Sequence, residues 1–76
     1  MAELIVEQYG AFIGKHSERV RVSVKGQLVE ERPLYGLDHL MVLSGGVALS
    51  SDVVWECAQR GIDIIFLSGS GVPYAR

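Results

Sequence analysis

The clearest periodicity in the chain runs from Arg19 to Lys25, where Val20, Val22 and Val24 alternate with Arg19, Arg21, Ser23 and Lys25. Side chains on a strand alternate between faces, so this pattern predicts a strand with its valines buried and its charges in water. Lys25-Gly26 supplies a two-residue turn. Gln27 to Arg32 returns as the partner strand, and Pro33, which has no N–H to donate, ends the ladder. Upstream, Leu4 to Glu7 and Ala11 to His16 read as two more short strands, separated by Tyr9-Gly10, with Ser17-Glu18 as the turn into Arg19.

Downstream the pattern changes. Leu34 to His39 is compatible with one helical turn that sets Leu37 against Leu40. Leu40 to Leu43 is apolar throughout, as in a central strand covered on both faces. Ser44-Gly45-Gly46 turns the chain into a short extended piece, Val47 to Leu49. Ser50 or Ser51 can cap a helix, and Asp52 is well placed for its dipole. The helix runs from about Asp52 to Arg60 and stops at Gly61. Val53, Val54, Cys57 and Ala58 form its apolar face, Glu56, Gln59 and Arg60 the polar one, and Trp55 stands at the edge of the polar face. Ile62 to Leu67 reads as another buried strand, Ser68 to Gly71 as a turn, and Val72 to Arg76 as the start of a further element. The order predicts a small α+β domain, mostly antiparallel β, with about six short strands and a single helix near residues 52–60.

Composition sharpens this picture. A chain of 76 residues makes one domain, and one this short buries only ~60% of its unfolded surface. Hydrophobic residues make up 49% of it and the mean hydropathy is +0.26, more apolar material than one small core hides. The surplus predicts a face to be covered by another protein surface. Net charge is −2 and the isoelectric point about 5.5, which excludes a uniformly basic nucleic-acid module. Four of the 7 Lys and Arg nevertheless fall between Lys15 and Lys25, so a local basic strip is compatible with the acidic total. A single cysteine, Cys57, excludes an internal disulfide and suits a reducing cytoplasm. The start does not read as a signal peptide, and the apolar runs fall short of the ~20 residues that span a bilayer. A cytoplasmic protein with no membrane contact is expected.

Read in order, the middle and end of the chain carry a resemblance. Pro33-Leu34 follows the hairpin, then come Leu40-Met41-Val42-Leu43, Gly45-Gly46-Val47-Ala48-Leu49-Ser50 and a helix. Arg60-Gly61-Ile62-Asp63-Ile64-Ile65-Phe66-Leu67 and Gly69-Ser70-Gly71 close the series, and Gln8-Tyr9-Gly10 before a hairpin fits its opening. This order resembles the amino-terminal domain of the CRISPR adaptation integrases, the Cas-one family, over nearly the whole chain. The resemblance implies a single dimerisation domain over residues 1–76 that helps orient DNA. It implies a homodimer that holds a prespacer duplex with splayed ends, working with a second protein, Cas-two. A following helical domain carries the metal-binding Glu, His and Asp, for which magnesium or manganese is expected. Those motifs lie beyond Arg76, so no catalytic residue and no metal ligand is carried over to this segment. The rival reading is a free-standing structural or interaction module unrelated to CRISPR.

Five residues stand out for function. In some members of the family a tyrosine after the first strand stacks on the last base pair of captured DNA, and Tyr9 is its counterpart here. The plainer reading of Tyr9 is a half-buried strand-end tyrosine with a wet hydroxyl. Arg19, Arg21 and Lys25 share one side of a strand, as phosphate contacts or as a solvated face that discourages edge pairing. Glu18, Glu30 and Glu31 are near enough in sequence to pair with them. Trp55 faces a partner or lies along the sheet beneath it. His16 and His39 have no Cys or Asp at metal-ligand spacing, and Cys57 reads as an inert core thiol. Gly45-Gly46 lacks the phosphate-loop patterns, and Ser50 and Ser51 are accounted for by helix capping.

Overall fold

In the computed structural model, side chains are described for residues 2–67 and the backbone for a last strand, Pro73–Ala75. The turn expected at Ser68 to Gly71 lies outside the described residues. The elements are β1 (Ala2–Val6), β2 (Ala11–His16), β3 (Arg19–Val24), β4 (Gln27–Pro33), β5 (Leu37–Val42), β6 (Ala48–Leu49), α1 (Ser51–Arg60), β7 (Asp63–Leu67) and β8 (Pro73–Ala75).

They form two four-stranded sheets, one ordered β4-β3-β2-β6 and the other β1-β5-β7-β8. The first holds the antiparallel meander that the valine alternation predicts. Ile13 pairs with Val22, and Val20 and Val22 are buried while Arg19 and Arg21 face outward. Lys25 and Gly26 both take positive φ, 53° and 78°. That is what a type I′ hairpin turn requires, and it places Lys25 in the turn rather than on the strand.

The class stands: a small, mostly β domain with one helix. The pairing differs in the second sheet, where β1, β5 and β7 run parallel. Parallel neighbours need a crossover of a dozen or more residues. The chain provides two, the meander between β1 and β5, and β6 with α1 between β5 and β7. The helical turn expected near Leu37 is absent. Leu37–Val42 is extended, and the turn ahead of it is Leu34-Tyr35-Gly36-Leu37, closed by Leu37 N–H to Leu34 C=O at 3.1 Å.

The core is one cluster drawn from both sheets and the helix. Leu4, Ile13, Val20, Leu34, Leu40, Val42, Val53 and Cys57 are its largest fully buried side chains. Leu40 to Leu43, expected to be covered on both faces, is fully buried on one only: Leu40 and Val42 face the core, and Met41 is half-buried. In β7, read as a buried strand, Ile64 to Leu67 are half-buried, while Ile62 just ahead of it is buried. On α1 the buried positions are Val53 and Cys57. Val54, expected on the same face, is half exposed.

Ser50 is the helix cap. Its hydroxyl accepts from Val53 N–H at 3.4 Å and donates to Asp52, and that bond holds the Asp52 carboxyl below its ordinary pKa. Gly61, at φ 71°, ends the helix, with its N–H directed to the carbonyls of Cys57 and Ala58. Burial pushes the Cys57 thiol up, in keeping with an unreactive core position. Arg60 joins Glu56 at 2.9 Å and also Glu18, which ties the end of α1 to the β2–β3 turn.

Candidate functional site at the corner between the sheets

The chain passes between the sheets four times, and two of these crossings lie side by side. β1 leads into β2, and β5 leads into β6. β1 pairs with β5 in the second sheet and β2 with β6 in the first, both parallel. Leu43 N–H to Val6 C=O (2.8 Å) and Gly10 N–H to Gly46 C=O (3.1 Å) bind the crossings together. Strands that change sheets make the corners of such sandwiches. This corner is where Tyr9 sits.

Tyr9 occupies the second position of the turn Gln8-Tyr9-Gly10-Ala11, closed by Ala11 N–H to Gln8 C=O at 3.2 Å. Gly10 has φ +83°, which a type II turn demands at its third position. The second position of such a turn points outward, and the Tyr9 residue is 82% exposed. The ring is not loose in water, however. It lies so close over Gly46 that a Cβ placed there would overlap Cδ1 and Cε1. Gly46 is thus a flat shelf carrying one side of the ring while the other stays open. The half-buried reading of Tyr9 is set aside by that exposure.

The basic residues fall on the outer face of the meander. Arg21 Nε donates to Glu31 at 2.8 Å, and Arg19 Nε lies 3.3 Å from the other oxygen of that carboxylate. One carboxylate therefore serves two guanidinium groups, which leaves net positive charge on this face. Glu30 instead pairs with Arg32 at 3.0 Å. Lys25 is at the hairpin tip, apart from the arginines. Trp55 is 61% exposed on α1, bordering a shallow surface with Lys15, Asp52 and Glu56.

Among the described residues no group of three His, Cys, Asp or Glu side chains is arranged to hold a metal ion. Glu3, His39 and Asp63 form a row across β1, β5 and β7. The imidazole nitrogens of His39 are 3.9 Å from each carboxylate, beyond hydrogen-bond distance. No described helix is long and apolar enough to cross a membrane.

Sequence reasoning reached Tyr9 by resemblance and missed its shelf. Gly45-Gly46 reads as turn punctuation in the sequence, and nothing along the chain links it to residue 9. Phe12 was likewise passed over as a strand residue. It is 46% exposed beside the same corner.

Residues 4–76 match the family described as CRISPR associated protein Cas1. The chain is 34% identical over 74 residues to a CRISPR-associated endonuclease Cas1 of Pyrobaculum aerophilum. It is 36% identical over 75 residues to one of Francisella tularensis subsp. novicida. These alignments cover 97% and 99% of the chain but 24% and 23% of the relatives, so it spans about a quarter of their length. The fold is shared with a CAS1 protein from Thermotoga maritima (TM-score 0.78, 14% identity, 99% of this chain and 23% of that one). A casposase bound to integration product shares it too (TM-score 0.77, 10% identity, 99% and 24%). These matches set aside the reading of a module unrelated to CRISPR: the chain belongs to the CRISPR-associated Cas1 family.

Proposed function

We propose that residues 1–76 form a single domain that dimerises and positions captured DNA for integration, with Tyr9 stacking on the last base pair of a prespacer duplex whose ends are splayed. The observation that carries this reading is the Tyr9 ring, seated on Gly46 on one side and open on the other. Stacking of a base on an aromatic ring is indifferent to sequence and worth ~1–3 kcal/mol. A ring seated against backbone on one side has less freedom to lose when the base arrives than one with no such contact. A duplex end is a flat apolar surface that such a ring fits.

Arg19 and Arg21, sharing Glu31, and Lys25 at the hairpin tip supply phosphate contacts that do not depend on sequence. Homodimerisation is supported by apolar surface left at the open side of the sandwich. Ile5 and Val29 are 47% and 49% exposed along the groove between β1 and β4. The exposed Trp55 on α1 is the candidate contact for a neighbouring protein surface.

The described residues do not fit a metal, and no cutting or joining step is derived from them. Magnesium or manganese belongs to the Glu, His and Asp of a helical domain in the longer protein. That protein is read as a metal-dependent DNA endonuclease and integrase, cytoplasmic, acting with the Cas-two protein. Relatives described as CRISPR-associated endonucleases and a neighbour bound to integration product support this reading.

Two measurements test it. Light scattering at tens of micromolar is expected to give twice the protomer mass, and a strictly monomeric species contradicts the dimer. Fluorescence anisotropy with a forked duplex is expected to show Tyr9→Ala binding about tenfold more weakly, in the lower part of the stacking range. Unchanged affinity contradicts the role of Tyr9.

A further inference from the structure

A second aromatic ring lies along the seam that carries Tyr9. Phe12 is on β2, two residues beyond Gly10, and pairs with Ala48, two residues beyond Gly46. Two strand residues advance about 7 Å, about two base-pair rises of duplex DNA at ~3.4 Å each. Phe12 thus lies within a few nucleotides' reach of Gly10, the residue after Tyr9.

The local geometry repeats that of Tyr9. Phe12 points to the outer face, between Ala48 and Ser23, two small side chains that leave its ring open. The ring extends over Gly14, where an added Cβ would lie 2.9 Å from Cε2. Both aromatics thus rest on glycine. Phe12 forms a shallow groove with Lys15, His16, Arg21, Ser23 and Leu28, and among the described residues no carboxylate lines it. The nearby Glu31 is already shared by Arg19 and Arg21.

We propose that Phe12 is a second stacking station, taking an unpaired base of single-stranded DNA while Arg21 and Lys15 hold the flanking phosphates. The proposal rests on the DNA-positioning reading of Tyr9. Aromatic rings on a sheet face, bordered by cations, are the general means of holding single strands without regard to sequence. A second copy of the chain is the poorer occupant. A two-fold contact would set Lys15 against its own counterpart, and Arg21, whose Glu31 is shared with Arg19, against another half-compensated guanidinium.

The test uses forked duplexes with 2-aminopurine at the first or second unpaired position. Phe12→Leu keeps an apolar side chain of similar size and removes the π face, and Phe12→Trp keeps the ring. The expected result is about tenfold weaker binding of forked, but not blunt, duplex by Phe12→Leu. The quenching of 2-aminopurine is lost in that variant, and both signals return in Phe12→Trp. If Phe12→Leu binds forked DNA like the unaltered protein while Tyr9→Ala does not, the second station is overturned and the Tyr9 reading survives. If neither change affects binding, both fall. A loss of dimer mass in Phe12→Arg, with forked-duplex binding by Phe12→Leu unaltered, would make the groove a protein interface and also overturn the proposal.

Discussion

Two turns in this domain are nearly the same object with different surroundings. Gln8-Tyr9-Gly10-Ala11 and Leu34-Tyr35-Gly36-Leu37 each close with a hydrogen bond from the fourth residue to the first, 3.2 and 3.1 Å. Their glycines have φ +83° and +82°. Their tyrosines are 82% and 89% exposed. Because β1 and β5 are parallel, the first turn leaves one end of that sheet and the second enters the other end. Tyr9, just ahead of β2, lies against Gly46, whereas no described glycine carries the Tyr35 ring. A turn provides exposure. A fixed orientation comes from the neighbouring chain, and only the sheet corner provides that.

The comparison can be broken most sharply at Gly46, without touching either tyrosine. Gly46→Ala puts a methyl group where the Tyr9 ring lies, and the ring has room to swing away. Binding of forked duplex is expected to fall five- to tenfold, approaching the Tyr9→Ala value. The urea midpoint should move little, because a flexible side chain yields rather than the backbone. Retained affinity would show that the shelf is irrelevant.

A smaller effect shows what the turns share. Gly10→Ala and Gly36→Ala each place a Cβ at positive φ, at a cost of about 1 kcal/mol or more. Equal losses in urea unfolding are expected, with DNA affinity changed only by Gly10→Ala. The smallest effect belongs to Tyr35→Ala, a change at a surface site, which should alter stability by less than about 0.5 kcal/mol. Its binding of forked duplex should stay within twofold of the unaltered protein. A loss as large as that of Tyr9→Ala would erase the distinction between the turns.

What could be read from the sequence follows from the range of each signal. The meander was legible because alternation in Arg19–Val24 and the Lys25-Gly26 turn are local. So were the helix, its Ser50 cap and its Gly61 stop. The parallel sheet was not, since β1 and β5 meet only after the whole meander intervenes. Leu34 to His39, compatible with one helical turn, forms instead a turn and the start of β5, because Gly36 at φ +82° leaves the right-handed helical region. At the site, Tyr9 was found through resemblance to a family, and its shelf is a tertiary contact with no trace in local spacing. The pairing of both arginines with Glu31 was anticipated only as one of several acidic choices.

The central claim is that the open face of the Tyr9 ring receives the last base pair of a duplex. A forked duplex with 2-aminopurine in that last pair tests it most directly. The account predicts quenching on binding by the unaltered protein and by Tyr35→Ala, and none with Tyr9→Ala at saturating protein. Equal quenching by all three would show that the terminal pair meets something other than Tyr9.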